Sequence, residues 1–246
     1  MKLLIYNIAY GTGSPGSEKG RLLTGHRYLR TPLEPFQRIS EFMVGEAPDV
    51  IGLIEADHGS LRTGRMSHTA ALAAELGGYH YLGKTKYGKR SLLLRVPYLK
   101  HQSNAILSRT APTEFNYHFF DNGAKKLVIS CKIDGIKLFL LHLALTSTTR
   151  AKQLAQLAEW MTPGEPSIIA GDFNTFRGAA ELVRFRKRFG LRSANAPHLP
   201  TYPAWKPIKE LDYILYSPEL ELRSFRVPCC DFSDHLPLIA DFVSCT

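Results

Sequence analysis

The 246-residue chain has few cysteines and no long apolar run, the features of small zinc-stabilised domains and of membrane-spanning proteins. Its four cysteines show no C-x-x-C spacing, which argues against a structural zinc site, although a disulfide involving Cys245 stays open. No apolar run approaches the ~18 residues of a membrane-spanning helix. The apolar run at the N-terminus is too short for a signal sequence. We therefore expect a cytoplasmic protein with no transmembrane segment.

Acidic residues are also in short supply, since 22 Asp and Glu face 31 Lys and Arg and give a net charge of +9. Such an excess favours polyanionic partners such as nucleic acid or an acidic lipid surface, with simple solubility as the alternative. The hydrophobic content of 44% is ordinary for a globular protein. No low-complexity stretch or linker divides the chain, so we expect one domain over residues 1–246 that acts as a monomer.

The first 30 residues combine a strand with an unusually long connection. Residues 2–8 form an apolar run typical of a buried strand, and residues 9–30 are rich in Gly, Ser and Arg and predict a loop. Loops beyond about 12 residues are often functional. The basic side chains of this loop are therefore candidate substrate contacts, with a solvated loop as the equal alternative: Arg21, His26, Arg27 and Arg30.

Helices and strands then alternate along the chain. Residues 31–34 resemble a capping box with proline at the first helical position, and Ser67 predicts the cap of a second helix with Ala70, Ala71, Ala74 and Leu76 facing inward. A third helix is predicted to begin at residue 147 or 148, with an apolar stripe formed by Ala151, Leu154, Ala155, Leu157 and Met161, and a fourth is predicted at 179–189. Strands are predicted at residues 49–54, 104–108, 126–132, 136–141, 167–170, 211–216, 220–227 and 238–243. This order indicates a layered α/β domain with two packed sheets between helices.

Polar residues follow several of these strands, at the point where each strand ends. Asn7, Glu55 and His142 each end an apolar run, and Gly171-Asp172-Phe173-Asn174 follows another. Carboxylate and amide oxygens suit a hard divalent cation, and a histidine suits a phosphoryl oxygen. Singly, each residue has a structural alternative: a strand-end hydrogen bond, an ion pair with arginine, a buried structural histidine or a simple turn.

Two further carboxylates lie near the end of the chain, at Asp212 and in Ser233-Asp234-His235. A carboxylate that accepts the N–H of an imidazole keeps the ring cationic, which helps it hold a phosphate. Asp212 is our candidate for that partner of His235. Asp172 and Asn174 occupy alternate positions after a strand, so their side chains share a face if the backbone is extended.

Taken together, these motifs resemble the endonuclease/exonuclease/phosphatase superfamily, which has the DNase I-like fold. Further matching pieces are residues 103–109, His142-Leu143 with Arg150 and Gln153, and residues 200–203 before Leu211-Asp212. The resemblance implies a four-layer α/β sandwich in which two mixed, mainly antiparallel sheets are flanked by helices. It also implies hydrolysis of a phosphodiester or phosphomonoester that depends on Mg²⁺ or Mn²⁺.

The resemblance assigns roles to individual residues. Asn7, Glu55 and Asp234 would hold the metal. Asp172 would orient or deprotonate the attacking water, with Asn174 beside it. The scissile phosphate would be bound by His142 and His235, and Asp212 would support His235. Asn104 would line the pocket, and Arg27 and Trp205 are added as candidate substrate contacts. Ala9 and Ile54 stand where many relatives carry Asn or Asp and Gln, which disfavours an abasic-site endonuclease.

The resemblance does not select the substrate. Two basic clusters interleaved with aromatic residues are consistent with nucleic-acid binding: Lys84, Lys86, Lys89 and Arg90 with Tyr79, Tyr81 and Tyr87, and Arg184, Arg186, Lys187 and Arg188 with Phe185. For the second cluster, a solvated helix face is the slightly favoured alternative. Charge therefore favours a nuclease or related phosphodiesterase. The alternative is a hydrolase of phospholipid, sphingolipid or inositol-phosphate headgroups, and the weaker alternative is a catalytically silent binding module.

Overall fold

The computed structural model describes residues 1–87 and 96–244, apart from the side chains of Arg21, Leu22 and Ser244. The strands are β1 Lys2–Asn7, β2 Val50–Asp57, β3 His80–Thr85, β4 Gln102–Ser108, β5 Thr113–Phe119, β6 Leu127–Ile133, β7 Ile136–His142, β8 Ser167–Asp172, β9 Arg192–Ser193, β10 Asp212–Tyr216, β11 Leu220–Arg226 and β12 Leu238–Ser244. The α-helices are α1 Glu18–Leu23, α2 Leu33–Glu46, α3 His68–Glu75, α4 Ser147–Glu159 and α5 Ala180–Phe189. None of the helices in these ranges is long and apolar enough to cross a bilayer.

The strands form two six-stranded sheets, in the orders β11-β12-β1-β2-β4-β3 and β5-β6-β7-β8-β10-β9. Within them β1 pairs in parallel with β2 and β7 with β8, whereas the other pairs are antiparallel. Apolar side chains from both sheets, among them Ile5, Leu138 and Ile214, pack into one central cluster. The predicted fold of two mixed, mainly antiparallel sheets is confirmed.

Helices cover the outer face of each sheet. Phe36, Ile39 and Met43 of α2 pack on the first sheet, as their spacing predicts, and Leu154 of α4 and Phe185 of α5 pack on the second. Each outer cluster also contains strand residues whose side chains face the helices. The four layers are therefore helices, sheet, sheet and helices.

Several local predictions were wrong. The segment 9–30 contains α1, capped by Ser17, so it is only partly a loop. The N-cap of α2 is Pro32, with no side-chain cap bond, because the Thr31 hydroxyl donates to the Arg27 carbonyl instead. Ser67 caps α3 as predicted.

The inward faces of two helices also differ from the predicted ones. Helix α3 buries Leu72 and Ala73, whereas Ala74 is exposed. On α4 the buried face includes the polar Arg150 and Gln153, while Ala151 and Ala155 are exposed. The positions of the alanines did not predict which helix face is buried, because an alanine can lie on either face at little cost. Strands β3, β5 and β9 were not predicted, and the first two have mostly exposed or half-buried side chains that lack an apolar pattern.

Candidate active site

Three of the predicted polar residues lie side by side in one row of the second sheet. His142 on β7 pairs with Asp172 on β8, and Asp172 pairs with Asp212 on β10. Gly171 allows this close packing: its φ is +146°, and a Cβ there would lie 1.9 Å from the Leu141 carbonyl oxygen. The row brings two carboxylates and an imidazole together at the end of the strands.

Asp172 lies at the centre of the site and is almost fully buried. Its Oδ2 accepts a hydrogen bond from Asn7 Nδ2 at 3.1 Å and lies 3.1 Å from His142 Nε2, while its Oδ1 accepts from the backbone N–H of Asn174 at 2.9 Å. Burial acts to raise the pKa of Asp172, but His142, His235 and Lys125 outweigh it and hold that pKa well below its usual range. The carboxylate is therefore a firmly ionised acceptor.

His235 packs against the other side of this carboxylate. Its Nδ1 lies 2.8 Å from Asp212 Oδ2 and its Nε2 lies 3.9 Å from Asp172 Oδ2. Burial acts to lower the pKa of His235, but the neighbouring carboxylates outweigh it, Asp212 most of all, and raise that pKa to about 10. Thr201 also donates to Asp212 Oδ2, at 2.6 Å. The imidazole is thus held as a cation at neutral pH.

Glu55 is presented by an irregularity in β2. The pairing register of β2 with β4 shifts between Leu53 and Ala56, and Glu55 has a φ of +56°. A bulge of this kind redirects the side chain out of the strand alternation. The Asn104 side-chain oxygen accepts the Glu55 backbone N–H at 3.2 Å. Asn104 therefore stabilises the unusual backbone that aims Glu55 into the site.

A lysine that the sequence placed in a basic surface cluster lies against Glu55. The buried Lys86 ammonium is 3.0 Å from Glu55 Oε1 and donates to Tyr10 Oη at 2.7 Å. Burial acts to raise the pKa of Glu55, but Lys86 and His142 outweigh it and lower that pKa to about 2. Burial lowers the pKa of Lys86 to about 8 despite the carboxylate beside it. Lys86 is therefore a site residue rather than part of a surface patch.

His142 connects Glu55 with Asp172. Its Nδ1 lies 3.7 Å from Glu55 Oε1, and Lys125, from the connection between β5 and β6, contacts its Nε2. Burial and the Lys125 ammonium lower the pKa of His142 to about 4, so the ring is neutral at pH 7. The two histidines of the site consequently carry different charges.

Asn174 and Arg150 shape the loops around the site. Asn174 has a φ of +52°, and its Nδ2 donates to the Leu143 carbonyl at 2.8 Å. The buried Arg150 guanidinium donates to the carbonyls of Leu145 and Asn174 at 2.8 and 2.7 Å and pairs with Glu181 at 2.5 Å. One side chain thus ties together the segments that follow β7 and β8.

The remaining candidates lie at the edges of this network. Ser233 Oγ donates to the Asn7 carbonyl at 2.8 Å, which fixes the segment carrying Asp234 beside β1. Arg27 Nη1 donates to the Thr12 carbonyl at 3.3 Å, and Trp205 is half-buried in the segment before β10. Arg27 and Trp205 stay predictions as substrate contacts.

The oxygen donors fit a hard divalent cation. Glu55 is ionised and already faces a cationic ammonium, so its carboxylate oxygens suit a divalent ion. Among the described residues, ligand atoms of Asp172, Asp212 and His235 lie within 4.8 Å of one another. A metal ligand must be a neutral imidazole, however, and the contact with Asp212 keeps His235 protonated. These three residues are therefore better explained by an ion pair between His235 and the two carboxylates than by a metal site.

The second basic cluster lies on a solvated helix face, the alternative that the sequence slightly favoured. Arg184, Lys187 and Arg188 are exposed on α5, but Phe185 is buried beneath the helix and offers no stacking platform. In the first cluster, Lys89 and Arg90 lie outside the described residues. Cys131, Cys229 and Cys230 are free thiols, and the disulfide considered for Cys245 also lies outside the described residues.

Comparisons with known proteins identify the family of the chain. The sequence profile of the Endonuclease/Exonuclease/phosphatase family matches residues 4–235, so the chain belongs to that family. The uncharacterized protein YbhP of Escherichia coli K12 is 32% identical over 163 residues, which are 57% of this chain and 62% of YbhP. The chain thus aligns with less than two thirds of the length of that relative.

Solved structures share the fold over nearly the whole chain. A mannosyl-6-phosphatase of Bacteroides thetaiotaomicron has a TM-score of 0.70 at 16% identity and covers 99% of both chains. The 3′ phosphatase NExo of Neisseria, solved with a product DNA hairpin, has a TM-score of 0.67 at 16% identity, again covering 99% of both. At this identity the likeness supports the fold alone.

Proposed function

We propose that this protein is a divalent-metal-dependent phosphoester hydrolase in which water attacks the phosphorus in line. One observation carries the proposal. An unbroken series of contacts joins Glu55 to His142, His142 to Asp172, and Asp172 to both Asn7 and His235. These groups come from both sheets, and their chemistry combines cation ligands, an acceptor for water and a cationic donor for phosphate.

Glu55, Asn7 and Asp234 would hold the ion, which when bound supplies Lewis-acid stabilisation of charge on the phosphoryl oxygens. Asp172 orients the attacking water by accepting one of its hydrogens. Because its pKa is so low, it is a better acceptor than base. Asn174 keeps the Asp172 carboxylate in place through its backbone N–H. No covalent enzyme intermediate is needed.

The cationic His235 donates to a phosphoryl oxygen, while Asp212 maintains its charge and orientation. His142 is neutral and offers a hydrogen-bond contact to the same group. Lys86 and Lys125 add positive charge beside it. Sequence reasoning assigned neither lysine a role at the reacting centre, because each reaches the site from a connection outside the strand ends.

The substrate is a phosphodiester in this proposal, with a nuclease as the first candidate because the chain carries a net charge of +9. Proteins of similar fold include a 3′ phosphatase solved with a product DNA hairpin and a mannosyl-6-phosphatase, so phosphomonoesters belong in the same trial. Hydrolysis of lipid headgroups is the second candidate, favoured by exposed leucines beside the site. The cation would be Mg²⁺ or Mn²⁺.

The test measures hydrolysis of bis-p-nitrophenyl phosphate and p-nitrophenyl phosphate with Mg²⁺, Mn²⁺ or EDTA. Asp172→Asn should lower turnover by roughly a hundredfold or more, as is typical when one polar group of a transition state is lost. Asp134→Asn, at an exposed hairpin turn, is the matched control. Hydrolysis by Asp172→Asn at the control's rate, with the fold intact by circular dichroism, would remove Asp172 from the mechanism.

A substrate panel of DNA, RNA and phospholipid follows for the active protein. Binding to DNA that weakens steeply with added salt would support a nucleic-acid substrate, because counterions are released when phosphates are contacted. Silence with every cation and substrate would contradict the hydrolase proposal and favour the binding-module alternative.

A further inference from the structure

Exposed apolar side chains gather on one part of the surface. Leu23, Leu29 and Leu61 are 77%, 63% and 63% exposed, and Leu33 and Tyr28 are also exposed. We call these five residues the leucine patch. Scattered exposed leucines are normal, but a contiguous group of them marks an interaction surface.

Backbone contacts show that the leucine patch is contiguous. The Thr31 N–H donates to the Arg62 carbonyl at 2.9 Å, so Leu29, Leu33 and Leu61 all lie within two residues of one contact. On the other side, His26 Nδ1 lies 3.0 Å from the Leu23 carbonyl oxygen, and the Arg30 N–H donates to the His26 carbonyl at 3.2 Å. The patch therefore joins two segments that are distant in sequence.

Cations outnumber carboxylates around the leucine patch. Residues 18–34 contain Lys19, Arg21, Arg27 and Arg30, with the exposed Glu18 and Glu34 at the two ends of this segment. Arg62 of the second segment is buried against Asp57, whereas Arg65 is exposed. An apolar patch with an excess of cations beside it complements a surface that is both apolar and anionic.

The patch lies directly beside the site. The Tyr28 ring is 6.3 Å from the Tyr10 ring, and Tyr10 accepts a hydrogen bond from Lys86, the partner of Glu55. Thr24 and Tyr28 also line a small cavity together with Asp234. A surface bound at the leucine patch would therefore lie next to the proposed metal ligands.

We propose that the leucine patch docks on an anionic phospholipid surface and places headgroup phosphates at the site; the second part rests on the proposed hydrolase function. Aliphatic side chains gain free energy by entering the acyl boundary of a bilayer, whereas the backbone of nucleic acid offers them little. Arg65 and the cations of residues 19–33 supply attraction to lipid phosphates. The occupant is a membrane surface rather than a strand of DNA.

The experiment is co-sedimentation with phosphatidylcholine vesicles prepared with and without phosphatidylglycerol. The wild-type protein should bind the phosphatidylglycerol vesicles more tightly. Leu29→Ser/Leu61→Ser should bind them at least tenfold more weakly, and Arg65→Gln about fivefold more weakly, as expected for one cation near a charged membrane. The matched control is Phe115→Ser/Val183→Ser, which removes comparably exposed apolar residues elsewhere and should bind like wild type.

Three results would overturn the docking proposal. The first is no binding of the wild-type protein to either kind of vesicle, and the second is equal binding of vesicles by the leucine-patch and control variants. The third is loss of DNA binding by the leucine-patch variants while their vesicle binding is unchanged. The last result would identify a nucleic-acid surface instead. Because all four leucine and control positions are exposed, the variants should keep the wild-type thermal midpoint.

Hydrolysis of bis-p-nitrophenyl phosphate separates the two proposals. Leu29→Ser/Leu61→Ser should hydrolyse this small substrate at the wild-type rate while losing activity on phosphatidylglycerol vesicles. Asp172→Asn should do the reverse, binding vesicles normally without hydrolysis. If the wild-type protein bound vesicles but hydrolysed no substrate, the docking proposal would stand and only the proposed hydrolase function would be refuted.

Discussion

Replacing Asp212 by Asn tests whether this carboxylate keeps His235 cationic. The two groups are buried and 2.8 Å apart, and the pKa of His235 is about 10 against an ordinary value of 6.5. Because one pKa unit corresponds to about 1.4 kcal/mol, the environment favours the protonated ring by roughly 5 kcal/mol. Asn keeps the shape and an acceptor oxygen but removes the charge, so burial should lower the pKa of His235 towards its ordinary value of 6.5, with Asp172 and Asp234 still acting to raise it.

Hydrolysis should then acquire a new pH dependence. At pH 8 a histidine with a pKa of about 6.5 is only about 3% protonated, so the Asp212→Asn variant should be slower than wild type by at most roughly 30-fold through this effect alone. Part of the loss should be recovered at pH 6, where most of the ring is protonated again. Wild type should keep its activity up to about pH 10 as far as His235 is concerned.

Two measurements check this expectation: the imidazole chemical shifts of His235 across the pH range, and the pH profile of bis-p-nitrophenyl phosphate hydrolysis. Thr201→Val is the matched control, since it removes a 2.6 Å hydrogen bond to Asp212 but leaves the charge in place. If His235 in Asp212→Asn still titrates above about pH 9, the carboxylate does not cause the raised pKa.

Stability should follow the same linkage. A group whose pKa is raised in the folded state stabilises it fully below the unfolded value of 6.5 and loses that contribution as pH rises through about 10. The difference in unfolding free energy between wild type and Asp212→Asn should therefore shrink between pH 6.5 and 10. Urea titrations that show a constant difference across this window would refute the reasoning.

Two further changes address the cation ligands and the loops. Glu55→Gln should weaken Mn²⁺ binding in calorimetry. Lys86→Met should strengthen it about tenfold or more, because an ammonium 3.0 Å from the carboxylate competes with the ion. If both variants gave the wild-type isotherm, Glu55 would not be a metal ligand. Arg150→Lys should lower the unfolding free energy by about 3 kcal/mol, since a lysine cannot bridge two carbonyls and Glu181 together. An unchanged urea midpoint in Arg150→Lys would show that these contacts of Arg150 do not stabilise the fold.

The strand ends of the site could be predicted because apolar runs have clear boundaries. Asn7, His142 and Asp172 are each the last residue of a strand, and Asp212 is the first residue of one. The sequence could not give the register that sets His142, Asp172 and Asp212 in one row, because that register depends on pairing among three distant segments. Nor could it show that a bulge redirects Glu55.

Residues from irregular segments were harder to assign. Lys86 and Lys125 carry only a charge as their sequence signal, and a lysine in a loop is ordinarily solvated. Only the folded chain shows that Lys86 is buried against Glu55 and that Lys125 reaches His142. Arg150 was noted as a matching residue, but its burial beneath two loops follows from packing rather than from any local pattern.

These lysines bear on how the site would handle an anionic substrate. Glu55, Asp172, Asp212 and Asp234 face the cations Lys86, Lys125 and His235, so the carboxylates exceed the fixed cations by one. Such a site repels a phosphodiester in the absence of metal. One divalent cation would change the balance to a single positive charge, which equals the charge that a phosphodiester neutralises. For the proposed hydrolase, this balance favours a diester with one bound ion over a dianionic monoester, and we expect substrate binding itself to depend on the metal.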